Sequence, residues 1–225
     1  MFMQLPDTVP VMILPNATLF PQALLPLYIF EPRYRRMLED ALHSDRMFAV
    51  AMQRPGAKRE TPSPIAGLGV VRVAVKHKDA TSHLVLQGMA RVQLWEAVKY
   101  KPYRRHRMEY LSTPPSDSVA VDALVESLRN LLEERLQLGL PFPFPVAPVP
   151  DHEATKASGV PAEEIMKYLG SIEDPEQLAD LVSCAVLPSA LERQTILEAV
   201  AVDTRLRCLI QFLTADIRRN RKGSK

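Results

Sequence analysis

Val9 to Leu42, VPVMILPNATLFPQALLPLYIFEPRYRRMLEDAL, reads in succession as strand, loop, strand and helix. Val9, Val11 and Ile13 alternate, as residues on one face of a strand do. A loop bracketed by Pro15 and Pro21 follows. Ala23 to Phe30 is apolar at even and odd positions, which predicts a strand buried on both faces. Pro26 has no N–H to give to a ladder, so an edge or a bulge is expected there. After Glu31 the period changes. Pro32 suits a first helical position, and Tyr34, Met37, Leu38, Ala41 and Leu42 fall at i, i+3, i+4, i+7 and i+8, a single apolar helix face.

The ordered run Leu19-Phe20-Pro21, then Leu25-Pro26-Leu27-Tyr28-Ile29-Phe30-Glu31-Pro32-Arg33-Tyr34, resembles the opening of the Lon protease N-terminal domain. That domain also occurs as stand-alone proteins and within cereblon, and the family uses it for binding, not catalysis. Gly67-Leu68-Gly69-Val70 and Gln87-Gly88-Met89-Ala90-Arg91-Val92 resemble the middle of the same domain, where a Gly-x-x-Arg turn joins two strands. Asp174 to Arg218 resembles its helical half, with Leu140 to Val160 as the least similar part. The resemblance implies a PUA-like curled β-barrel with one helix, then an all-helical bundle.

The 225 residues are 47% hydrophobic and 24% charged, the balance of an ordinary globular chain. A net charge of +2 gives no global argument for nucleic acid. Cys184 and Cys208 fall in helical patterns with no C-x-x-C, which predicts a reduced, cytoplasmic setting. The first residues lack the basic start and apolar run of a signal peptide, and no stretch approaches the roughly 18 apolar residues of a membrane span.

Phe48 to Met52 is expected as a buried strand and Gln53 to Pro64 as an exposed loop. Leu68 to His77 carries Val71, Val73 and Val75 on one face and Arg72 and Lys76 on the other. A two-residue turn at Asp79-Ala80 then pairs Val75 with Leu84 and Val73 with Leu86, keeping apolar partners together; a longer turn that puts Val73 opposite Gln87 does not. Gly88 interrupts the return strand as a bulge or bend, Ala90 to Val98 continues it, and Tyr103 to Leu111 is the last strand. Beyond Ser112-Thr113-Pro114-Pro115-Ser116 the periodicity is helical over Asp117 to Leu138, with Gly139 at the C-cap. Asp174-Pro175-Glu176-Gln177 and Ser189-Ala190-Leu191-Glu192 are capping boxes, Asp203 is expected to cap the last helix, and Arg218 to Lys225 is expected to fray.

Chemistry finds little support. No G-x-x-x-x-G-K-[ST] is present, and the chain ends at Lys225, before the ATPase and Ser-Lys protease domains of full-length Lon enzymes would begin. No enzyme activity, cofactor or metal is therefore expected. In the two-residue register His77 and His83 point to opposite faces, and the cysteines are expected as inert helix-core residues. The basic run Lys99-Tyr100-Lys101-Pro102-Tyr103-Arg104-Arg105-His106-Arg107 has two readings. Its tyrosines suit base stacking and its cations Lys99, Lys101, Arg104, Arg105 and Arg107 suit phosphates; the same charges also guard a solvated edge strand. In Leu140 to Pro150 polyproline II is expected, and Pro145-Val146-Ala147-Pro148 is a P-x-x-P. That stretch is expected to pack as a connector.

The sequence thus predicts an α+β protein: a PUA-like half over 1–112, a connector over 113–116, a helical half over 117–220 and a basic tail over 221–225. The expected function is non-catalytic polypeptide recognition, as an adaptor in protein quality control. Its partners are unfolded or apolar polypeptide segments and a protease or chaperone acting in trans, not a membrane. Client-binding residues are expected at Leu19, Phe20, Tyr28 and Phe30, with Leu19 and Phe20 either exposed near the barrel mouth or packed inward as the loop's anchor. RNA binding through the basic run is the alternative.

Overall fold

A computed structural model describes residues 6–140 and 161–223. Its elements are β1 (Thr8–Leu14), β2 (Leu24–Ile29), α1 (Pro32–Leu42), β3 (Met47–Met52), β4 (Ile65–Lys76), β5 (Ser82–Lys99) and β6 (Arg104–Tyr110), then α2 (Ser118–Gln137), α3 (Ala162–Gly170), α4 (Pro175–Val186), α5 (Ala190–Glu198) and α6 (Val202–Gly223). The fold is α+β. Of the described residues, 6–111 form one compact unit with all the strands and α1, and 112–140 with 161–223 form a second unit of helices.

The sheet order is β2-β5-β4-β3-β1-β6, and β5 also pairs with β6. The pairing therefore returns on itself through β5, β4, β3, β1 and β6, with β2 attached outside. The length of β5 permits this: Ser82 to Gln87 pairs with β2, while Val92 to Lys99 pairs with β6. β1 and β3 are parallel, and β2 and α1 form the long crossover that parallel neighbours require.

Two apolar clusters hold the unit. Val9, Val11, Ala49, Ala66, Leu68, Val92, Leu94 and Met108 belong to a cluster drawn from every strand of the closed pairing. Met12, Phe48 and Val50, alternate residues of the same strands, instead join Tyr34, Met37, Leu38 and Ala41 of α1. The helix face read from the 3.6-residue period is thus the core face, with Leu42 packed at its margin. Where β6 no longer runs beside β1, the Tyr34 hydroxyl takes over the edge: it accepts from the Ile13 N–H and donates to the Ile13 carbonyl, both at 3.1 Å.

Several sequence expectations are corrected. β2 is not buried on both faces; Leu25 and Ile29 are buried while Leu24 and Pro26 are exposed, because β2 is the outermost strand and only one face meets the core. Pro26 therefore sits on an edge strand, where a missing N–H is tolerated. Gly88 to Arg91 is not a turn between strands, since β5 runs through it; the irregularity is a bulge between Leu68 and Gly69 opposite Ala90 and Gly88. The β4–β5 turn has three residues, Lys78-Asp79-Ala80. Lys76 pairs with Ser82, His77 and Thr81 share a 2.8 Å backbone bond, and Ala80 has φ 66. The Asp79 carboxylate fixes the turn by accepting from the Thr81 N–H and hydroxyl.

In the helical unit Asp174 accepts from the Glu176 N–H, and Ser189 from the Glu192 N–H, as the capping boxes predict. Asp117 caps α2, and Gly139 follows its C-cap with φ 63. α6 begins one residue before Asp203, which lies in its first turn, and remains helical to Gly223 where a frayed tail was expected. Arg205 is fully buried and donates to Asp180, Glu176, Thr113 and the Val200 carbonyl. Arg135 of α2 pairs with Asp216 of α6. The polyproline II and P-x-x-P expectations for Leu140 to Pro150 fall outside the described residues beyond Leu140.

Candidate functional site

Leu19 and Phe20 are 1% and 0% exposed, so they offer no surface to a client. The reason lies on the sheet beneath them. A Cβ on Gly67 would stand 1.9 Å from the Leu19 carbonyl oxygen, and one on Gly88 would stand 1.9 Å from that of Phe20. The loop backbone lies directly on these glycines, and only a residue without a Cβ admits so close an approach. Pro21 and Gln22, the latter at φ 65, turn the chain under a 3.2 Å bond from the Ala23 N–H to the Phe20 carbonyl, the Pro-first, positive-φ-second pattern of a type II turn. Gln22 and Ala23 then bond to the Gly88 backbone at 3.0 and 2.9 Å. Of the two placements that the sequence left open, the loop takes the inward one and is an anchor, so Leu19 and Phe20 do not present the client-binding surface expected of them.

Tyr28 and Phe30 lie differently. Phe30 is 58% exposed and Tyr28 half-buried, with ring centroids 5.9 Å apart. They lie on the outer face of β2, the face away from Leu25 and Ile29. Register extends that face across two more strands: Tyr28 pairs with His83 and His83 with Val75, while Pro26 pairs with Val85 and Val85 with Val73. Leu24, Val73 and Val75 are each more than half exposed. Directly opposed side chains on neighbouring strands are in contact range, so Pro26, Val85 and Val73 form an apolar row across the three strands, beside a row in which His83 separates Tyr28 from Val75.

Val73 and Val75 reach this surface through a bulge. Val71 is buried and was expected to share its face with Val73 and Val75, but the register shifts between Val71 and Val73. Arg72 is the extra residue, and its Nε donates to Gln87 Oε1 at 2.6 Å. Beyond it Ala74 turns inward against the core and the two valines turn out. The predicted pairs Val75–Leu84 and Val73–Leu86 are replaced by Val75–His83 and Val73–Val85. The three-residue turn, which puts His83 opposite Val75 and so on the face of His77, also overturns the expectation that His77 and His83 face apart. Their nearest ring nitrogens are 2.7 Å apart, and His83 lies 4.8 Å from the Tyr28 ring. Among the described residues no group of three or more His, Cys, Asp or Glu is placed to hold a metal ion.

The basic run is dispersed by its strand. Arg105 donates to the Thr8 carbonyl and hydroxyl at 3.1 Å. Arg107 pairs with Glu96 at 3.2 Å, and Arg104 lies 3.9 Å from Glu60 and over the Tyr100 ring. Lys99 sits over the Tyr103 ring and Lys101 is exposed. The arginines are thus engaged within the chain. Glu60 is also gripped by both terminal nitrogens of Arg33, at 2.6 and 2.8 Å, a bond that holds Arg33 more firmly charged than usual. Burial pushes the Cys184 thiol up to about 11, away from a reactive thiolate.

The family model for the ATP-dependent protease La (LON) substrate-binding domain matches residues 8–215. Similar curated proteins include Lon protease of Dictyoglomus thermophilum, 26% identical over 216 residues, which cover 95% of this chain and 25% of that protein. Lon protease 2 of Myxococcus xanthus is 28% identical over 215 residues, covering 93% and 24%. The chain thus spans about a quarter of the length of these relatives. Among solved structures, the N-terminal domain of a Mycobacterium avium complex Lon protease superposes with a TM-score of 0.68 at 18% identity, covering 92% of this chain and 98% of that one. A Lon N-terminal domain protein from Xanthomonas campestris gives 0.55 at 18% identity, covering 91% and 98%. These two likenesses establish the fold. Among the described residues no helix is long and apolar enough to cross a membrane.

Proposed function

Since this chain belongs to the Lon substrate-binding domain family, we propose that it is a polypeptide-recognition module that performs no catalysis itself. The observation that carries the reading is the apolar outer face of β2, β5 and β4, with Tyr28 and Phe30 at one side and Val73 and Val75 at the other. Contiguous exposed apolar surface of this kind marks interaction sites. Aromatic side chains give large contact area at low entropic cost, so Tyr28 and Phe30 are the anchors and the valines widen the contact. The client is an unfolded or apolar polypeptide segment, delivered to a protease or chaperone in trans. The closed strand pairing, with a core drawn from all five of its strands, supports a PUA-like barrel as the scaffold.

Binding of a labelled, permanently unfolded protein tests this. The wild type binds with a shallow salt slope, holding or strengthening in sulfate as apolar contacts do. Tyr28→Ser with Phe30→Ser weakens binding about tenfold or more. Undiminished binding by that variant would remove the outer face from the proposal. Turnover of ATP or of the unfolded protein, lost on a point mutation in this chain, would remove the non-catalytic reading.

A further inference from the structure

On the opposite side of the β4–β5 hairpin from Val73 and Val75 is a cleft of about 410 Å³ between α1 and the hairpin end. Its floor is apolar: Leu38 and Leu42 from the helix, Ala74 from β4. Ala74 lines it because of the bulge at Arg72. The strand along one side is unpaired. β3 meets β4 only from Gly67 to Val70, Arg46 adds a backbone bond at Val71, and no strand among the described residues pairs with that edge from Arg72 to Lys76. Alternate backbone N–H and C=O groups along such an edge point outward, ready for another strand.

The charge at this cleft is positive in sum. Of the charged side chains that line it, Glu39 stands against Arg35, Arg36 and Lys76, and Arg36 is shared between Glu39 and Asp40, at 3.4 and 3.0 Å. Arg35 and Lys76 line the cleft from its two walls, and neither has a carboxylate within 4.0 Å among the described residues. We propose that the cleft receives an extended acidic segment of the client, added as a strand to the β4 edge. Its carboxylates meet Arg35 and Lys76, and its alternate aliphatic side chains rest on Leu42 and Ala74. Residues i and i+2 of a strand share a face, so the segment carries acidic and aliphatic side chains in alternate-position spacing. A lysine and a bulge on an edge deter indiscriminate pairing, and here they admit only a strand that brings negative charge. This inference rests on the polypeptide-recognition reading and adds a second contact, with a charge preference that the outer face does not supply.

The test uses a short fluorescent peptide with Glu and Val on one face of an extended chain, and a twin with Lys for each Glu. Wild type is expected to bind the Glu peptide about tenfold more tightly than the Lys twin, and Arg35→Glu with Lys76→Glu to invert the order. Arg35→Ser with Lys76→Ser abolishes the preference without adding charge, and circular dichroism verifies the fold of each variant. Tyr28→Ser with Phe30→Ser keeps the order. N-methylation of alternate peptide amides weakens binding in one register and not in the other. Equal affinity for the twins, an order that survives charge reversal, or indifference to N-methylation in both registers overturns the cleft while polypeptide recognition stands. Displacement of the Glu peptide by inorganic phosphate or oligo-dT at equal concentration makes the site a general anion site and also overturns it. If neither the peptides nor the unfolded protein binds wild type, the parent reading falls too.

Discussion

Leu19-Phe20 and Tyr28-Phe30 are similar pairs on one stretch, yet one is sealed and the other open. Both combine large apolar groups, and both follow a proline-containing segment. The difference lies in what is opposite them. Leu19 and Phe20 meet Gly67 and Gly88, whose missing Cβ atoms let the loop sink to the sheet. Tyr28 meets His83 across the ladder, on the face of β2 where Leu24 and Pro26 are exposed. Exposure of an aromatic is therefore decided by its distant partners, not by its own neighbourhood in sequence.

Phe20→Ala should break the sealed side most severely, lowering stability by about 3–5 kcal/mol in urea titrations. A loss within experimental noise would mean that the loop opens and offers Phe20 to clients after all. Leu38→Ala should lower stability by about 2–5 kcal/mol, and a neutral result would remove α1 from the core. Gly88→Ala drives a Cβ into the Phe20 carbonyl and should destabilise by about 1–3 kcal/mol through overpacking; a stabilised variant would show that the loop is not in contact.

Alkaline titration sharpens the contrast differently. Burial raises the Tyr34 hydroxyl from 10.0 to about 12. The folded state therefore keeps a proton that the unfolded chain has lost, and stability should fall as pH rises from about 10 to about 12. Tyr34→Phe, less stable at neutral pH because Ile13 loses both its bonds to the hydroxyl, should lessen that decline and leave the part due to Tyr110, which burial also raises to about 12. Last, Tyr28→Ser with Phe30→Ser should shift stability by only about 0.5 kcal/mol while client binding drops. A large stability loss there would mark these rings as structural.

The sequence revealed elements wherever the signal was local. The period of Tyr34, Met37, Leu38 and Ala41, the caps at Asp174 and Ser189, and the edge position marked by Pro26 all depend on residues a few places apart. Of the candidate site, Tyr28 and Phe30 were named from the sequence, but their place on an open face was not legible, because the strand is apolar at even and odd positions and reads as buried on both faces. Val73 and Val75 were not named. Their alternation with Val71 looks unbroken, and the bulge at Arg72 shows only in the pairing. The turn was misjudged because Ala80, with no glycine or asparagine signal, takes the left-handed conformation under the grip of Asp79 on Thr81. Arg205 and Asp180 are 25 residues apart and on different helices, and only the fold brings them together and buries them.

The bond between Thr8 and Arg105 spans 97 residues. β1 can find β3 as soon as that strand exists, but the edge that β6 covers stays bare until the chain has grown past Arg107. At ribosomal speeds of about 5–20 residues per second, the nascent chain carries an uncovered first strand for roughly 5–20 s. During that interval a protein proposed to collect unfolded polypeptides is one itself, with an open strand edge of the kind that its own cleft is inferred to take.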